Sequence, residues 1–465
     1  MKITVCVKQS ANGDLSPFDA SAYEAALRIA PSEVTLLSMA PKRSEAFLSD
    51  LTRRGAREAV LLCDAAFAGA DTLATAYTLS LAVRQLQPDL ILCGRQSMDG
   101  DTAQTGPGLS AAVGYSLITG AMNLFFQGEE LFCETRSGET LPVTLPAVVT
   151  VERFCSLRLP SFRSKTAPVR LLDARALSAD LSRCGQKGSP TRVMKTEENE
   201  EGKRRCHFVE KEEFARLIRS GLERKKNLSL PKTDGKKMRE VVVVGEKPAE
   251  MAATVAESVR IVPMDSPEKL TELFRAEKPA AVLWGSDSLS KKTAALVAWN
   301  LQTGLCADCT RLQTDGENLF MFRPAFMGNI VAEIRSDRRP QMATVRTGGD
   351  DRAELIFSVG LGAEQDLPKI RRMAERFGAE LAASRAAVDR ELLPYECQVG
   401  LTGKSVNPSV YVAFGISGAV HHIEGMKTAG TVIAVNRDQK APIFDYADYG
   451  IVCDIEELPE EFSTL

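Results

Sequence analysis

No stretch of this sequence approaches the roughly 20 apolar residues needed to span a bilayer. Lys2 runs straight into the strand-like Ile3–Val7, so no secretory leader is expected. Charge of one sign is also missing. Lysine and arginine total 58 against 61 acidic residues, and the net charge of −3 offers no dedicated surface to nucleic acid or anionic membrane. Histidine is scarce: three in the whole chain, two of them adjacent, His421 and His422. A metal centre needs more ligands than such a pair supplies. The eleven cysteines are scattered and odd in number. Several of them (Cys6, Cys63, Cys93) sit in apolar runs, the pattern of reduced thiols in a reducing compartment. Cys306 and Cys309 form the one Cys-x-x-Cys, with no second pair or nearby histidine to complete a zinc site, and read as structural. The expectation is a cytoplasmic protein without metal, nucleic-acid partner or membrane insertion.

What is present is ordinary for a globular protein, 44% hydrophobic and 26% charged, and 465 residues call for about three domains. Apolar strands alternate with helical patterns: Ile3–Val7, an amphipathic stretch from Asp19 to Ile29, Val34–Met39, then a helix from Ser44 to Arg54. This is the α/β signature of a largely parallel sheet covered by helices. A repeat lies within it. Gln87-Pro-Asp-Leu-Ile-Leu-Cys-Gly94 returns as Lys278-Pro-Ala-Ala-Val-Leu-Trp-Gly285, and Leu145-Pro-Ala-Val-Val-Thr-Val151 returns as Arg339-Pro-Gln-Met-Ala-Thr-Val345 at nearly the same offset. The fold expected is α/β: two related doubly wound nucleotide-binding-type domains and a C-terminal α/β domain. The divisions fall at 1–185, an arm at 186–237, a second domain at 238–346 and the last at 347–465.

The arm carries the charged run Lys195–Arg205, which reads as solvated. Phe208, Phe214, Leu217, Ile218 and Leu222 fall at helical spacing, so part of it should be a helix that docks. The polar break Arg346-Thr-Gly-Gly-Asp-Asp351 introduces the last domain, with strands expected at Glu354–Ser358, Ser409–Phe414, Thr431–Val435 and Gly450–Cys453. There, Ser409–Phe414 runs directly into Gly415-Ile-Ser-Gly418 and a helical stretch to about Met426. A glycine-bounded turn between strand and helix lets backbone approach a phosphate, although a plain tight turn has the same sequence. Gln398-Val-Gly-Leu-Thr-Gly-Lys-Ser405 fails as a P-loop, because only two residues separate Gly400 from Gly403. His421 and His422 cannot share a helix face, so one packs or meets solvent and the other is free to meet a ligand.

From about Lys278 onward the chain resembles the alpha subunit of electron-transfer flavoproteins. The resemblance runs through Gly304-Leu-Cys-Ala-Asp-Cys-Thr310, Arg323-Pro-Ala-Phe-Met-Gly-Asn-Ile330, Ala383-Ser-Arg-Ala-Ala-Val-Asp389, Gln398–Lys404, Gly415–Gly418 and Ala441-Pro-Ile-Phe-Asp-Tyr-Ala-Asp-Tyr-Gly450. The first 200 residues resemble the beta subunit, through Val5-Cys-Val-Lys-Gln9, Ser16-Pro-Phe-Asp19, Gly69–Thr75, Asp99-Gly-Asp-Thr-Ala-Gln-Thr-Gly-Pro107 and Gly188-Ser-Pro-Thr191. Two subunits fused in one chain would account for the repeat, since the family's subunits share a related fold.

The resemblance implies FAD in the last domain. Arg385 would lie against the isoalloxazine, where a fixed cation favours the reduced or anionic radical flavin, with Ser384, Gln398, Val399, Gly400 and Gly403 near the ring. Thr402 would reach the flavin N5, and His422, beside His421, a pyrimidine carbonyl. Gly415, Ile416, Ser417, Gly418 and Ala419 would hold the pyrophosphate, with Asn436 and Asp448 towards the adenosine. A second nucleotide, AMP or another FAD, would meet Cys6, Lys8, Asp99, Gly100, Asp101, Thr102, Gln104 and Thr105, with a structural turn at Asp99–Gly106 as the alternative.

The implied activity is that of a redox carrier, not a substrate-transforming enzyme. It would pass electrons from an acyl-CoA dehydrogenase-like donor, as in fatty acid oxidation, to a downstream redox protein. The alternatives are a two-FAD bifurcating flavoprotein that oxidises NADH and a redox-silent adenine-nucleotide sensor. Leu159-Pro160, an apolar step before Arg163 and Lys165, is either a partner-recognition element or a packed loop. Two departures stand out: Leu361 replaces an arginine of the family's flavin domain, and His421 replaces a glutamine.

Overall fold

The computed structural model describes residues 1–10, 13–29, 33–198, 203–223, 235–326, 330–346, 353–400 and 403–460. They divide into two compact units. Met1–Thr196, Pro231–Phe326 and Ala332–Arg346 make the first, and Glu197–Leu230, Met327–Val331 and Thr347–Leu465 the second.

The first unit is built on a nine-stranded sheet. Its order is Thr140–Pro142, Glu130–Thr135, Ser116–Gln127, Ala147–Val151, Leu90–Gly94, Lys2–Cys6, Glu33–Met39, Glu58–Leu62 and Val169–Leu172. Only the hairpin edge is antiparallel. The central strands are unbroken apolar runs because both faces are covered. Alternate residues point to opposite sides. Leu90 and Leu92 join Val5, Leu36 and Tyr23 in one core, while Ile91 and Cys93 join Leu37, Val60 and Leu79 in another.

A second sheet in this unit has the order Ala256–Val262, Met238–Val244, Ala281–Trp284, Gln341–Val345, Leu305–Cys309, all parallel. Read strand for strand, this is the order Glu33–Met39, Lys2–Cys6, Leu90–Gly94, Ala147–Val151, Ser116–Gln127 of the first sheet. The repeat seen in the sequence is therefore a repeat of topology, and its two segments form equivalent central strands. The cysteines are all free. Among the described residues no helix is long and apolar enough to cross a membrane.

The arm is more ordered than a solvated linker. Thr191–Glu198 is a strand beside Ile330–Ser336, in a four-stranded sheet with Leu319–Ala325 and Arg311–Thr314. The expected helix from Phe208 is corrected: it begins at Phe214, and Phe208 lies on the short strand His207–Phe208, paired with Tyr449–Ile451. The helical spacing of Phe208 was coincidental, and sheet pairing captured it.

The second unit has a six-stranded parallel sheet: His207–Phe208, Tyr449–Ile451, Thr431–Val435, Val410–Phe414, Leu355–Val359, Glu380–Ala383. Helix Phe214–Glu223 seals one face, with the fully buried Phe214 ring 5.9–6.3 Å from those of Phe357, Phe377 and Phe414. Removing such a ring costs about 3–5 kcal/mol. Phe214→Ala should accordingly lower hydrogen-exchange protection of Leu355–Val359 and leave Leu90–Gly94 in the first unit unchanged. Equal protection in both proteins would mean that the helix contributes nothing to this core.

Candidate nucleotide sites

In an open parallel sheet a ligand crevice forms where neighbouring strands feed connections in opposite directions, at their carboxyl ends. In the second unit that point lies between Leu355–Val359 and Val410–Phe414, since Leu355–Val359 connects outward to Glu380–Ala383 on its other side. Glycines occupy it. Gly415, at φ +59°, follows Val410–Phe414, and a Cβ there would sit 2.5 Å from the backbone nitrogen of Ala363. A Cβ on Gly360 would lie 2.2 Å from the Gly415 oxygen. The two loops thus run backbone against backbone, which only glycine permits.

Gly418, at φ +93°, closes the turn. The Ile443 N–H donates to the Ser417 oxygen (3.1 Å), and the Asn436 side-chain amide donates to the Ile416 oxygen (3.0 Å). Those carbonyls are spent within the protein, and Ser417 and Ala419 remain exposed. Helix Val420–Met426 follows.

Beside the crevice, Ser384 ends strand Glu380–Ala383 and caps helix Arg385–Asp389. The Arg385 Nε lies 3.8 Å from the Asp389 carboxylate, but its Nη2 is buried without a hydrogen-bond partner. Gln398 is buried, and the Val399 N–H donates to the Ala383 oxygen (2.9 Å), which draws this turn to the end of Glu380–Ala383. Gly403 presses on it, since a Cβ there would lie 2.2 Å from the Gln398 oxygen. Gly400, at φ +142°, touches the His421 backbone in the same way. Thr402 lies outside the described residues, as do Leu401 and the Gly348-Gly349 break.

The two histidines separate as their adjacency requires. His421 is half-buried, and burial lowers its pKa. His422 is buried, with Nε2 2.9 Å from the Tyr411 hydroxyl. Burial pulls its imidazole down to about 4, against a weaker opposite pull from the Val399 backbone, so the ring is neutral at pH 7. Asp448 is not brought to the crevice. It stands at the start of Tyr449–Ile451, where its carboxylate accepts from the Val432 N–H (2.8 Å) and from Arg204.

The first unit has an equivalent crevice between Lys2–Cys6 and Leu90–Gly94, and it opens into a cavity of about 800 Å³. Of the residues expected there, Cys6, Lys8, Gly100, Thr102 and Thr105 line it. Asp99, Asp101 and Gln104 are not part of that lining but hydrogen-bond within the protein. Asp99 holds the Lys8 ammonium (2.6 Å), Asp101 accepts from the Gln96 amide (3.1 Å), and Gln104 accepts from Thr72 (2.9 Å). The Gln104 Nε2 is buried without a partner. Burial pulls the Asp99 carboxyl up most strongly, but the charge and hydrogen bond of Lys8, with the hydrogen bonds of Ser97 and its own backbone, together leave it below the usual range.

Two features escaped the sequence reading. Asp19 is buried in the cavity wall, and Cys306 and Arg323 come from the second sheet's half of the unit. Arg323 is 6% exposed, and its Nε has no partner. Their signal lay in the quoted motifs, but nothing local in the chain assigns them to a common wall.

Comparison with known proteins fits this duplicated architecture. The family model for the electron transfer flavoprotein domain matches twice, at residues 3–177 and 240–355, and that for the electron transfer flavoprotein FAD-binding domain matches residues 351–427. The chain belongs to the electron transfer flavoprotein family. Over 232 residues it is 37% identical to the electron transfer flavoprotein subunit alpha of Thermoanaerobacterium thermosaccharolyticum, covering 40% of this chain and 70% of that protein. It is 34% identical over 260 residues to the acryloyl-CoA reductase electron transfer subunit beta of Anaerotignum propionicum (40% and 71% covered). It is also 34% identical over 241 residues to the lactate dehydrogenase (NAD(+),ferredoxin) subunit LctC of Acetobacterium woodii (42% and 58% covered). The FAD-binding match contains the glycine crevice, Ser384, Arg385 and both histidines of the second unit.

Proposed function

We propose that this chain is a cytoplasmic single-chain electron carrier. In this reading 1–185 stands for a beta subunit, 186–237 for a joining arm, and 238–346 with 347–465 for an alpha subunit. The observation that carries it is the glycine-built crevice at the strand switch of the second unit, beside the unpartnered buried nitrogen of Arg385. Both features fit FAD: backbone close enough for a pyrophosphate, and a cation awaiting an electron-rich partner. Bound FAD supplies the redox chemistry, taking electrons from one protein and passing them to another. The protein's own part is to orient and tune. Ser417 and the Gly415–Gly418 backbone hold phosphate, Arg385 offers positive charge, and Gln398 and Gly403 shape the floor. His422 stays neutral, its place fixed by Tyr411.

The first-unit cavity supports a second nucleotide. Its volume lies towards the upper end of that of small-molecule sites. A cavity of that volume, lined by both Lys8 and Arg323, favours FAD over AMP, and with it a bifurcating carrier that oxidises NADH. The LctC relative, whose name includes NAD(+) and ferredoxin, points the same way. Acid release should return two FAD per chain if this second reading holds, and one FAD with one AMP if the simple carrier does. Full reduction by NADH belongs to the first case only. Protein with no flavin, still colourless after reconstitution with FAD, would sink both.

In the simple-carrier reading the donor is proposed to be an acyl-CoA dehydrogenase-like flavoprotein. Leu159 is 87% exposed and Phe162 fully so, beside the exposed Arg163 and Lys165. Burying a leucine in a partner is worth about 1.5–3 kcal/mol. Leu159→Ala should therefore cut kcat/KM for reduction by the cognate dehydrogenase about tenfold or more, with FAD content unchanged. Unaltered kinetics would remove this loop from the docking surface.

A further inference from the structure

Asp19 lies in the first turn of helix Pro17–Arg28, where an acid would ordinarily face solvent near the positive end of the helix. Here it is turned into the molecule and is 6% exposed. Its carboxylate bridges the carboxyl ends of the two strands that define the crevice. One oxygen accepts from the Lys8 N–H (2.9 Å), and the other packs so close to Gly94 that a Cβ there would lie 2.2 Å from it. Asp19 thus lines the cavity together with Cys6 and Cys93, which are register partners at the ends of those strands.

We infer that Asp19 is the proton-exchange site of the first-unit cavity: its carboxylate takes up one proton from solvent as an anionic nucleotide enters. The inference rests on the reading of that cavity as a nucleotide site.

The surroundings supply the reason. The Lys8 ammonium is held by Asp99 at 2.6 Å. Arg95, which follows Gly94, is engaged by Glu152 (3.3 Å) and lies 5.8 Å over the Phe18 ring. From the strand that ends at Gly94, Cys93 lies near Asp19, its pKa pushed up by its hydrogen bond to Cys6 and by burial. With these groups around it, burial dominates and raises the Asp19 carboxyl to about 7, with a small push from the Asp99 charge, against the opposing pull of the Lys8 backbone N–H and charge and of the Gly94 backbone N–H. The Asp19 carboxyl is therefore poised between its charged and neutral forms at physiological pH. A phosphate arriving nearby adds negative charge, which favours the protonated acid further. The carboxylate and the solvent proton combine to the carboxylic acid, and no other bond changes. By linkage, affinity is greatest below neutrality and falls as pH rises above the Asp19 pKa, by up to about tenfold per pH unit for a single proton.

The test is calorimetric titration of AMP into the full-length protein with its first-unit cavity emptied, at pH 6.5 to 8, in two buffers of different protonation enthalpy. Wild type should take up about one proton more at pH 8 than Asp19→Asn, a comparison that cancels titration of the AMP phosphate itself. The AMP affinity of wild type should fall across this range more steeply than that of the variant. Should Asp19→Asn not fold, AMP-induced infrared difference spectra of wild type decide the matter, since a carboxylate band must give way to a carboxylic-acid band. Equal proton counts, or an unchanged carboxylate band, with AMP bound would overturn the inference and leave the nucleotide reading standing. Binding of neither AMP nor FAD in that cavity would overturn both.

Discussion

Gly418→Ala should yield protein that binds FAD about a hundredfold more weakly and purifies nearly colourless. The position has φ +93°, where a residue with a side chain is strained. The added methyl would also point at backbone, 2.1 Å from the Ile443 nitrogen. That nitrogen donates to the Ser417 oxygen, so the bond that shapes the loop must break if the methyl is to fit. Left-handed strain of about 1–2 kcal/mol and a lost hydrogen bond of about 1 kcal/mol sum to roughly 3 kcal/mol. At about 1.4 kcal/mol per tenfold, that is the hundredfold. Fluorescence titration of the apoprotein with FAD measures it, with far-UV circular dichroism to show that the sheet survives. Wild-type affinity in a folded variant would remove this turn from the FAD site.

Arg385→Ala should lower the flavin potential by some tens of millivolts without emptying the site. A unit charge about 4 Å from the ring is worth roughly 4 kcal/mol at an effective dielectric near 20. For a two-electron couple that is at most about 90 mV. The Arg385 side chain is 26% exposed, and solvent screening reduces the effect. No second cation is expected to compensate, because Leu361 stands where the family's flavin domain carries arginine. Arg385→Lys, which keeps the charge, should restore part of the loss. A spectroelectrochemical titration that finds the same potential in all three proteins would contradict the placement of Arg385 beside the flavin.

The architecture was largely legible because it is written in local pattern. Strands buried on both faces are short unbroken apolar runs, and Leu90–Gly94 and Thr431–Val435 stand as read. The repeat was visible because both copies keep the same central strands. Other strands escaped. Glu380–Ala383 is mostly alanine and leucine, which favour helix, and only pairing with Leu355–Val359 makes it extended. His207–Phe208 is two residues long, too short for any period to register.

The sites were legible where glycine and turn chemistry marked them and illegible where distant segments converge. Gly415 and Gly418 announce a turn from sequence alone, whereas their contacts with Gly362 and Ile443 depend on how the loops pack. Arg323 reaches the same cavity as Lys8 from more than 300 residues away along the chain. Asp19 reads as an ordinary first-turn acid until the ends of two strands close over it.

The central claim is that the second unit holds FAD in the crevice between Gly360–Gly362 and Gly415–Gly418. A crystal structure of the protein as purified, yellow and at full flavin occupancy, tests it most directly. The account expects pyrophosphate density against the Gly415–Gly418 backbone and the isoalloxazine beside Arg385 and Gln398. Flavin found only in the cavity between Lys8 and Arg323, with the second-unit crevice filled by water, would contradict it.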